Sequence, residues 1–141
     1  MADKLRLLVD LNVILDVLQD RQPFYEESAN VLDAVVRQKV TGYLAAHSVT
    51  TLYYVLNRMR NREAAVAAIG GLLDAFTIAA VNDKVIRQAF SWGWPDFEDA
   101  VQMAAAANAG ADYLITRNPR DFYEGIVNVV QPAALPAILS D

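Results

Sequence analysis

The sequence contains no cysteine and a single histidine, His47, among its 141 residues. Without cysteine the chain has no disulfide framework, no thiol nucleophile and no thiolate zinc site. One histidine argues further against a zinc centre or a multi-histidine iron centre. A glycine-rich phosphate loop and a nucleophile motif such as D-x-D-x-T are also missing. A small phosphatase or nucleotide-binding domain is therefore a weak interpretation.

Long apolar runs are absent as well, although apolar residues make up 55% of the chain. Asp10, Asp16 and Asp20 interrupt the N-terminal stretch and Gln102 interrupts a later one, so no run reaches the ~18 residues of a membrane span. The N-terminal stretch also lacks a basic region followed by an uninterrupted hydrophobic segment, which argues against a secretory signal. We expect a cytoplasmic protein with no membrane segment and with enough apolar residues for its own core.

Basic residues are in the minority, with 12 against 17 acidic residues and a net charge of -5. This balance disfavours nonspecific adhesion to nucleic acid through the long-range field. It does not exclude a nucleic-acid enzyme, because carboxylates that converge on divalent cations lose much of their negative charge. Two groups of arginines are candidate phosphate contacts, and their alternative is a solvated helix end and an ordinary loop. They are Arg58, Arg60 and Arg62, and then Arg117 and Arg120.

Short apolar runs alternate with segments of helical periodicity along the whole chain. The predicted strands cover residues 5–9, 41–46, 76–81, 112–116 and 125–130. Such alternation implies parallel pairing with right-handed crossovers, and hence a three-layer α/β/α sandwich with a central, mainly parallel sheet. No linker, repeat or low-complexity tract interrupts the order, so we expect one domain over residues 1–141. Ser48 or Thr50 is the predicted cap of the helix after the second strand, and residues 91–95 (SWGWP) are a predicted loop.

Polar residues follow two of the predicted strands. Asp10 ends the first strand and Asn12 lies two positions on, whereas Asn118 and Asp121 follow the strand that ends at Thr116. Ligands bind beyond the carboxyl ends of the strands in an open parallel sheet. The structural alternatives are that Asp10 caps a helix and that Asn118, before a proline, opens a turn.

An acidic group opens the late helix, where Asp96 and Asp99 lie three positions apart and share one helix face. Repulsion between like charges at this spacing is relieved by a cation. Carboxylate oxygens are the ligands that Mg²⁺ and Mn²⁺ prefer, and such a metal supports phosphodiester hydrolysis without histidine or cysteine. The structural alternative is that Asp96, after Pro95, acts as a helix cap.

Two blocks of sequence carry a family resemblance. LLVDLNVILDVL at residues 7–18 and PDFEDAVQMAAAANAGADYLITRNPRDF at residues 95–122 resemble the PIN-domain nucleases. The resemblance is strongest to the branch related to toxins of bacterial toxin–antitoxin pairs. It implies a compact α/β/α fold, Mg²⁺ or Mn²⁺ as cofactor, cleavage of an RNA substrate by a carboxylate cluster, and a cognate antitoxin as partner.

The resemblance also implies roles for individual residues. Asp10 matches the first acid, Asp99 the acid at the start of the late helix, and Asp96 an accompanying acid. These three are the expected catalytic residues and metal ligands, with Asn118 and Asp121 completing the ligation or positioning water. Asn12 and Thr116 are expected to support the site, and the expected phosphate contacts are Arg58, Arg60, Arg117 and Arg120.

One departure from the family pattern concerns the helix after the second strand, where relatives often place a glutamate. Residues 48–58 (SVTTLYYVLNR) contain none, and Thr51, Tyr53 and Tyr54 occupy that neighbourhood. The cluster is then one carboxylate short, which is compatible with weaker metal binding, a single-metal mechanism or lost catalysis. A catalytically silent PIN-like module that binds RNA or protein is therefore the alternative function. The apolar surplus, the two tyrosines and the alanine-rich helices also predict a homodimer.

Overall fold

Five strands form one parallel sheet in a computed structural model that describes residues 4–123 and 125–140. They are β1 (Arg6–Val9), β2 (Thr41–Ala45), β3 (Thr77–Ala79), β4 (Tyr113–Ile115) and β5 (Asn128–Val130). Their order across the sheet is β3-β2-β1-β4-β5, and each neighbouring pair is parallel. The five predicted strands are thus confirmed, with β5 shorter than expected at its N-terminal end.

Helices cover both faces of the sheet. They are α1 (Leu11–Leu18), α2 (Tyr25–Val36), α3 (Ala46–Met59), α4 (Arg62–Ala75), α5 (Asp83–Trp92), α6 (Phe97–Asn108) and α7 (Leu135–Leu139). Leu7 and Val9 pack into a core with side chains of α1 to α4, whereas Leu8 packs on the other face with side chains of α5 and α6. Successive residues of a strand point to opposite faces, so β1 contributes to two cores. The predicted three-layer α/β/α sandwich is confirmed.

β1 lies at the centre of the sheet, between β2 and β4. Its three apolar residues, Leu7, Leu8 and Val9, are completely buried. Helix α6 packs on one face of the sheet, and its buried residues include the small side chains of Ala104, Ala105 and Ala106. This arrangement places the carboxyl end of β1 and the first turn of α6 close together.

Two local predictions were wrong. Helix α3 begins at Ala46, directly after β2, and its N-cap, Ala45, provides no side-chain hydrogen bond. Because no loop separates the strand from the helix, Ser48 already lies inside the first turn and is buried. Helix α5 continues to Trp92 and ends at Gly93 in the left-handed conformation (φ 66°), so the predicted loop at residues 91–95 is shorter.

The C-terminal tail adds structure that the sequence did not predict. A 3-10 turn at Pro132–Ala134 leads into α7, with a proline near the start of each element. Proline suits the first helical turn, where its missing N–H has no intrahelical partner to lose. Among residues 4–123 and 125–140, no helix combines the length and the apolar character that a membrane span requires.

Candidate active site

Asp10 lies at the carboxyl end of the central strand and is almost completely buried. Its backbone N–H continues the pairing with β4 by donating to the carbonyl of Ile115, at 2.9 Å. Its carboxylate accepts hydrogen bonds from two directions, from Nε2 of Gln102 at 3.0 Å and from Oγ1 of Thr116 at 2.9 Å. Asp10 also caps α1, with the N–H of Asn12 at 3.5 Å. The Asp10 side chain therefore caps α1 and also lies at the centre of the candidate site.

The first turn of α6 carries the second group of acids. Asp96 is the N-cap, and its Oδ1 accepts a hydrogen bond from the N–H of Asp99 at 3.1 Å. Glu98 and Asp99 follow in the same turn. The positive end of the helix dipole favours negative charge at this position. The predicted cap is confirmed, and it leaves the carboxylate of Asp99 free of the capping role.

The surroundings of Asp99 disfavour its ionised form. Burial, followed by the negative charges of Asp96, Asp10, Asp121 and Glu98, raises the pKa of Asp99 to about 7. Asp10 and Asp99 are 89 positions apart in the sequence. The fold brings them to the same edge of the sheet, because β1 and β4 are neighbours and α6 directly precedes β4. We call Asp10, Asp96, Asp99 and Asp121 the acid cluster.

The donor chemistry of the acid cluster fits a hard divalent cation, since all its ligating atoms are carboxylate oxygens. The raised pKa of Asp99 supports this fit, because burial and the neighbouring carboxylates both disfavour its ionised form, and a bound cation would offset both effects. In the part of the chain that the structure describes, no three acidic or histidine side chains are already gathered as ligands of one ion. The carboxylates would have to draw closer around a bound cation.

Asn118 and Asp121 lie on the exposed segment after β4. A 3-10 turn at Pro119–Asp121 begins there, and the N–H of Asp121 donates to the carbonyl of Asn118 at 3.1 Å. The N–H of Asn118 donates to Oγ1 of Thr116 at 3.3 Å. Thr116 thus connects Asn118 to Asp10. The turn expected at Asn118 is present, at the edge where the acid cluster lies.

The predicted phosphate contacts lie in three different environments. Arg120 is exposed on the 3-10 turn beside Asp121 and lines an open cavity of about 830 Å³. Arg58 donates to the hydroxyl of Tyr54 at 3.0 Å, and Arg60 is the C-cap of α3. Arg58 lies eleven residues after His47, which is in the first turn of the same helix. At 1.5 Å per residue, Arg58 is about 16 Å along the helix axis from His47.

Arg117, the fourth predicted phosphate contact, has a largely buried side chain. Its Nε atom is 3.0 Å from Oδ2 of the buried Asp16. Its guanidinium group lies over the ring of Phe24, 4.2 Å from the ring centroid. The structure therefore places Arg117 in an internal ion pair, an environment that the sequence did not predict.

Two residues near the acid cluster were missed as site residues. Gln102 was noted only for interrupting an apolar run, yet its position one turn after Asp99, on a buried helix face, could have identified it. His47, in the first turn of α3, lies with Nε2 3.9 Å from Oε1 of Glu98. Burial lowers the pKa of His47, and Glu98 opposes that shift. The imidazole is therefore neutral at neutral pH.

The helix that lacks the family glutamate supplies no carboxylate here. Tyr53 packs against the core formed with α1 to α4, and Oγ1 of Thr51 donates to the carbonyl of His47 at 3.2 Å. Tyr54 is exposed. As the sequence indicated, α3 therefore contributes no carboxylate to the acid cluster.

Comparison with known proteins identifies the family of the chain. The family model described as PIN domain matches residues 6–120, from β1 to the turn after β4. The curated Ribonuclease VapC1 of Aquifex aeolicus (strain VF5) is 24% identical over 130 residues, which cover 89% of each chain.

Solved structures show the same fold at low identity. The DNA-bound VapBC of Salmonella typhimurium superposes with a TM-score of 0.70 at 14% identity, covering 91% of this chain and 98% of the other. VapC20 of Mycobacterium tuberculosis, described as a Sarcin-Ricin loop cleaving toxin, has a TM-score of 0.63 at 18% identity, covering 77% of this chain and 86% of the other.

Proposed function

This chain belongs to the PIN domain family, and from that premise we propose that it is a metal-dependent endoribonuclease that hydrolyses RNA phosphodiester bonds. The observation that supports the proposal is the acid cluster at the carboxyl edge of the sheet, whose charges together disfavour the ionised form of Asp99. The relative named Ribonuclease VapC1 matches the chain over nearly its whole length. Family membership, fold and site chemistry thus agree on a nuclease of the hydrolase class.

In this proposal Asp10, Asp96 and Asp99 are the catalytic acids and hold Mg²⁺ or Mn²⁺. Asn118 and Asp121 complete the ligation or position water. A divalent cation in such a site polarises a phosphoryl oxygen and lowers the pKa of a bound water. The charge of the site itself requires a cation, because a phosphate cannot approach several ionised carboxylates unless their charge is offset.

The surrounding residues orient the cluster. Thr116 and Gln102 donate hydrogen bonds to the Asp10 carboxylate. These two hydrogen bonds fix the orientation of the carboxylate oxygens. The N–H of Asn12 faces the same carboxylate. Contacts to RNA phosphates are proposed for Arg120, which is exposed next to the cluster, and for Arg58 and Arg60 where a longer RNA extends along α3.

The proposal extends to the partners. Structural neighbours include a toxin–antitoxin complex from Klebsiella pneumoniae, with a TM-score of 0.67 and 21% identity over 89% of this chain. We therefore propose that this chain is the toxin of such a pair, acts on RNA in the cytoplasm and binds a cognate antitoxin.

We also propose that the chain forms a homodimer, and light scattering tests this. A mass near twice the 15.5 kDa of one chain is expected, and a mass near 15.5 kDa would remove the dimer.

A catalytically silent module that binds RNA or protein is the second candidate, favoured by the absence of a carboxylate on α3. Incubation of the metal-free protein with structured and single-stranded RNAs, with Mg²⁺, Mn²⁺ or EDTA, separates the two. We expect cleavage with either metal and none with EDTA, while calorimetry detects metal binding. Metal binding without cleavage of any RNA would favour the silent module, and absence of both would refute the metal-dependent nuclease.

A further inference from the structure

A buried ion pair joins Asp16 on α1 to Arg117 on the segment after β4. The role that we infer for it rests on the proposed ribonuclease function. We infer that Asp16 and Arg117 are positioning residues, and that their buried ion pair holds residues 116–118 in the place from which Thr116 orients Asp10. Neither side chain belongs to the acid cluster. The inference replaces the phosphate contact that the sequence predicted for Arg117.

Asp16 lies on α1 and is completely buried. Its Oδ2 accepts a hydrogen bond from Oγ of Ser28 on α2 at 3.0 Å and lies 3.0 Å from Nε of Arg117. Nη1 of Arg21 is 4.0 Å from the other oxygen, Oδ1. Burial of an ionised carboxylate is costly unless a partner compensates its charge. Asp16 therefore depends on Arg117, which belongs to a segment a hundred residues further along the chain.

Arg117 is held on three sides. Its side chain is only 20% exposed, with the guanidinium group between the Asp16 carboxylate and the face of Phe24. A cation over an aromatic ring gains a further attraction, which is stronger where water is excluded. The backbone carbonyl of Arg117 accepts a hydrogen bond from Nε2 of Gln131 at 3.3 Å. Both the side chain and the backbone of this residue are thus fixed to neighbouring elements.

The neighbours of Arg117 on either side connect to the acid cluster. Thr116 donates to Oδ2 of Asp10 at 2.9 Å, and its Oγ1 accepts from the N–H of Asn118 at 3.3 Å. Moving Arg117 moves the backbone that carries both residues. The ion pair consequently ties α1 and α2 to the segment that orients Asp10, without adding net charge to the site.

Energetics favours a positioning role over a purely stabilising one. A buried ion pair contributes little net stability compared with apolar side chains of similar size, because desolvation offsets the attraction. Its geometry is nevertheless restrictive, since the planar guanidinium group must meet the carboxylate and the aromatic ring together. A misplacement of about 1 Å is enough to cost up to a hundredfold in rate at a catalytic site.

The test uses Asp16→Asn, Arg117→Met, Arg117→Lys and the double variant Asp16→Asn with Arg117→Met. Asp33→Asn is the matched control, since Asp33 pairs with Arg37 at 2.9 Å on the exposed surface of α2. Amide hydrogen exchange of residues 116–122 is measured in the metal-free protein without RNA. Cleavage kinetics then give kcat and KM for one RNA that the wild type cleaves.

We expect faster exchange at residues 116–122 and a loss of about ten- to a hundredfold in kcat for each neutralising variant, with KM changed by less than about twofold. The kcat of the double variant should be no lower than that of the less active single variant, and Arg117→Lys should recover part of the rate. If Asp16→Asn alone does not fold, the double variant, which leaves no unpaired buried charge, and Arg117→Lys carry the test.

Other outcomes would overturn the inference. Unchanged exchange at residues 116–122 in the neutralising variants would show that the pair does not hold this segment. A higher KM and a smaller salt dependence for Arg117→Met, with normal kinetics for Asp16→Asn, would return Arg117 to the phosphate contact. If the wild type cleaves no RNA, the proposed function fails, while the exchange measurement still decides whether the ion pair anchors the segment.

Discussion

Nε2 of Gln102 lies 3.0 Å from Oδ1 of Asp10 and joins two residues that are 92 positions apart. A neutral amide thus orients the central carboxylate of an acidic site without adding another negative charge. Oε1 of Gln102 is buried and has no hydrogen-bond partner among the described residues. The amide group therefore contacts Asp10 through its donor.

Replacing Gln102 by Met keeps the volume of the side chain and removes the donor. We predict a loss of about ten- to a hundredfold in metal affinity or cleavage rate, the usual effect of removing a group that orients a ligand. Calorimetric titration with Mn²⁺ and single-turnover cleavage measure the two effects. Gln88→Met is the control, because Gln88 accepts a hydrogen bond from Asn108 rather than contacting the acid cluster. Equal effects of both substitutions would argue against an orienting role.

Asp10→Asn and Asp99→Asn should each abolish Mg²⁺-dependent cleavage while the protein stays folded. Each change removes a negative charge from the ligand set but preserves the size of the side chain. Gel-based cleavage assays and circular dichroism measure activity and folding on the same samples. Asp112→Asn serves as a control acid that lies outside the cluster, where its carboxylate accepts from the N–H of Arg6. Full activity of either cluster variant would contradict the assigned roles.

The metal-free protein should become more stable as the pH falls from 8 to 5. The pKa of Asp99 is raised to about 7 in the folded state, above its ordinary value of 3.8, so the folded state binds more protons than the unfolded state between these values. The cost of ionising Asp99 is therefore absent at low pH and complete above pH 7.

Asp99→Asn removes this cost, and we predict a higher Tm at pH 8 and a smaller increase at pH 5. Asp99 is partly exposed, so after allowance for solvent screening the gain is about 1 kcal/mol, or roughly 3 °C. Thermal unfolding at both pH values, in EDTA, measures the difference. An equal Tm for the variant and the wild type at pH 8 would show that neither burial nor the neighbouring charges destabilise ionised Asp99.

Metal affinity should rise with pH through the same range. A cation binds the ionised form of Asp99, so protons and metal compete for this side chain below pH 7. We predict tighter Mn²⁺ binding at pH 8 than at pH 6, and proton release on binding at pH 6.5. Calorimetry in buffers of different ionisation enthalpy measures the number of protons released. Release of no protons would mean that Asp99 is not a ligand.

Local sequence patterns were sufficient for the five strands and for two caps. The apolar run before Asp10 predicted β1, and Asp10 and Asp96 cap helices as their residue type favours. These features depend on neighbours within one helical turn, so the sequence contains their causes. The start of α3 was wrong because the strand enters the helix without a loop, a junction that has no local signal.

The alternation of strands and helices, the family motifs and the identity of the acids can be read from the sequence. The contact of Gln102 with Asp10, the raised pKa of Asp99 and the ion pair of Arg117 with Asp16 are visible only in the folded chain. The two groups of features differ in the range of the interactions that cause them. Caps and periodicity act between adjacent residues, whereas burial and charge repulsion depend on which distant segments the sheet order brings to the same edge.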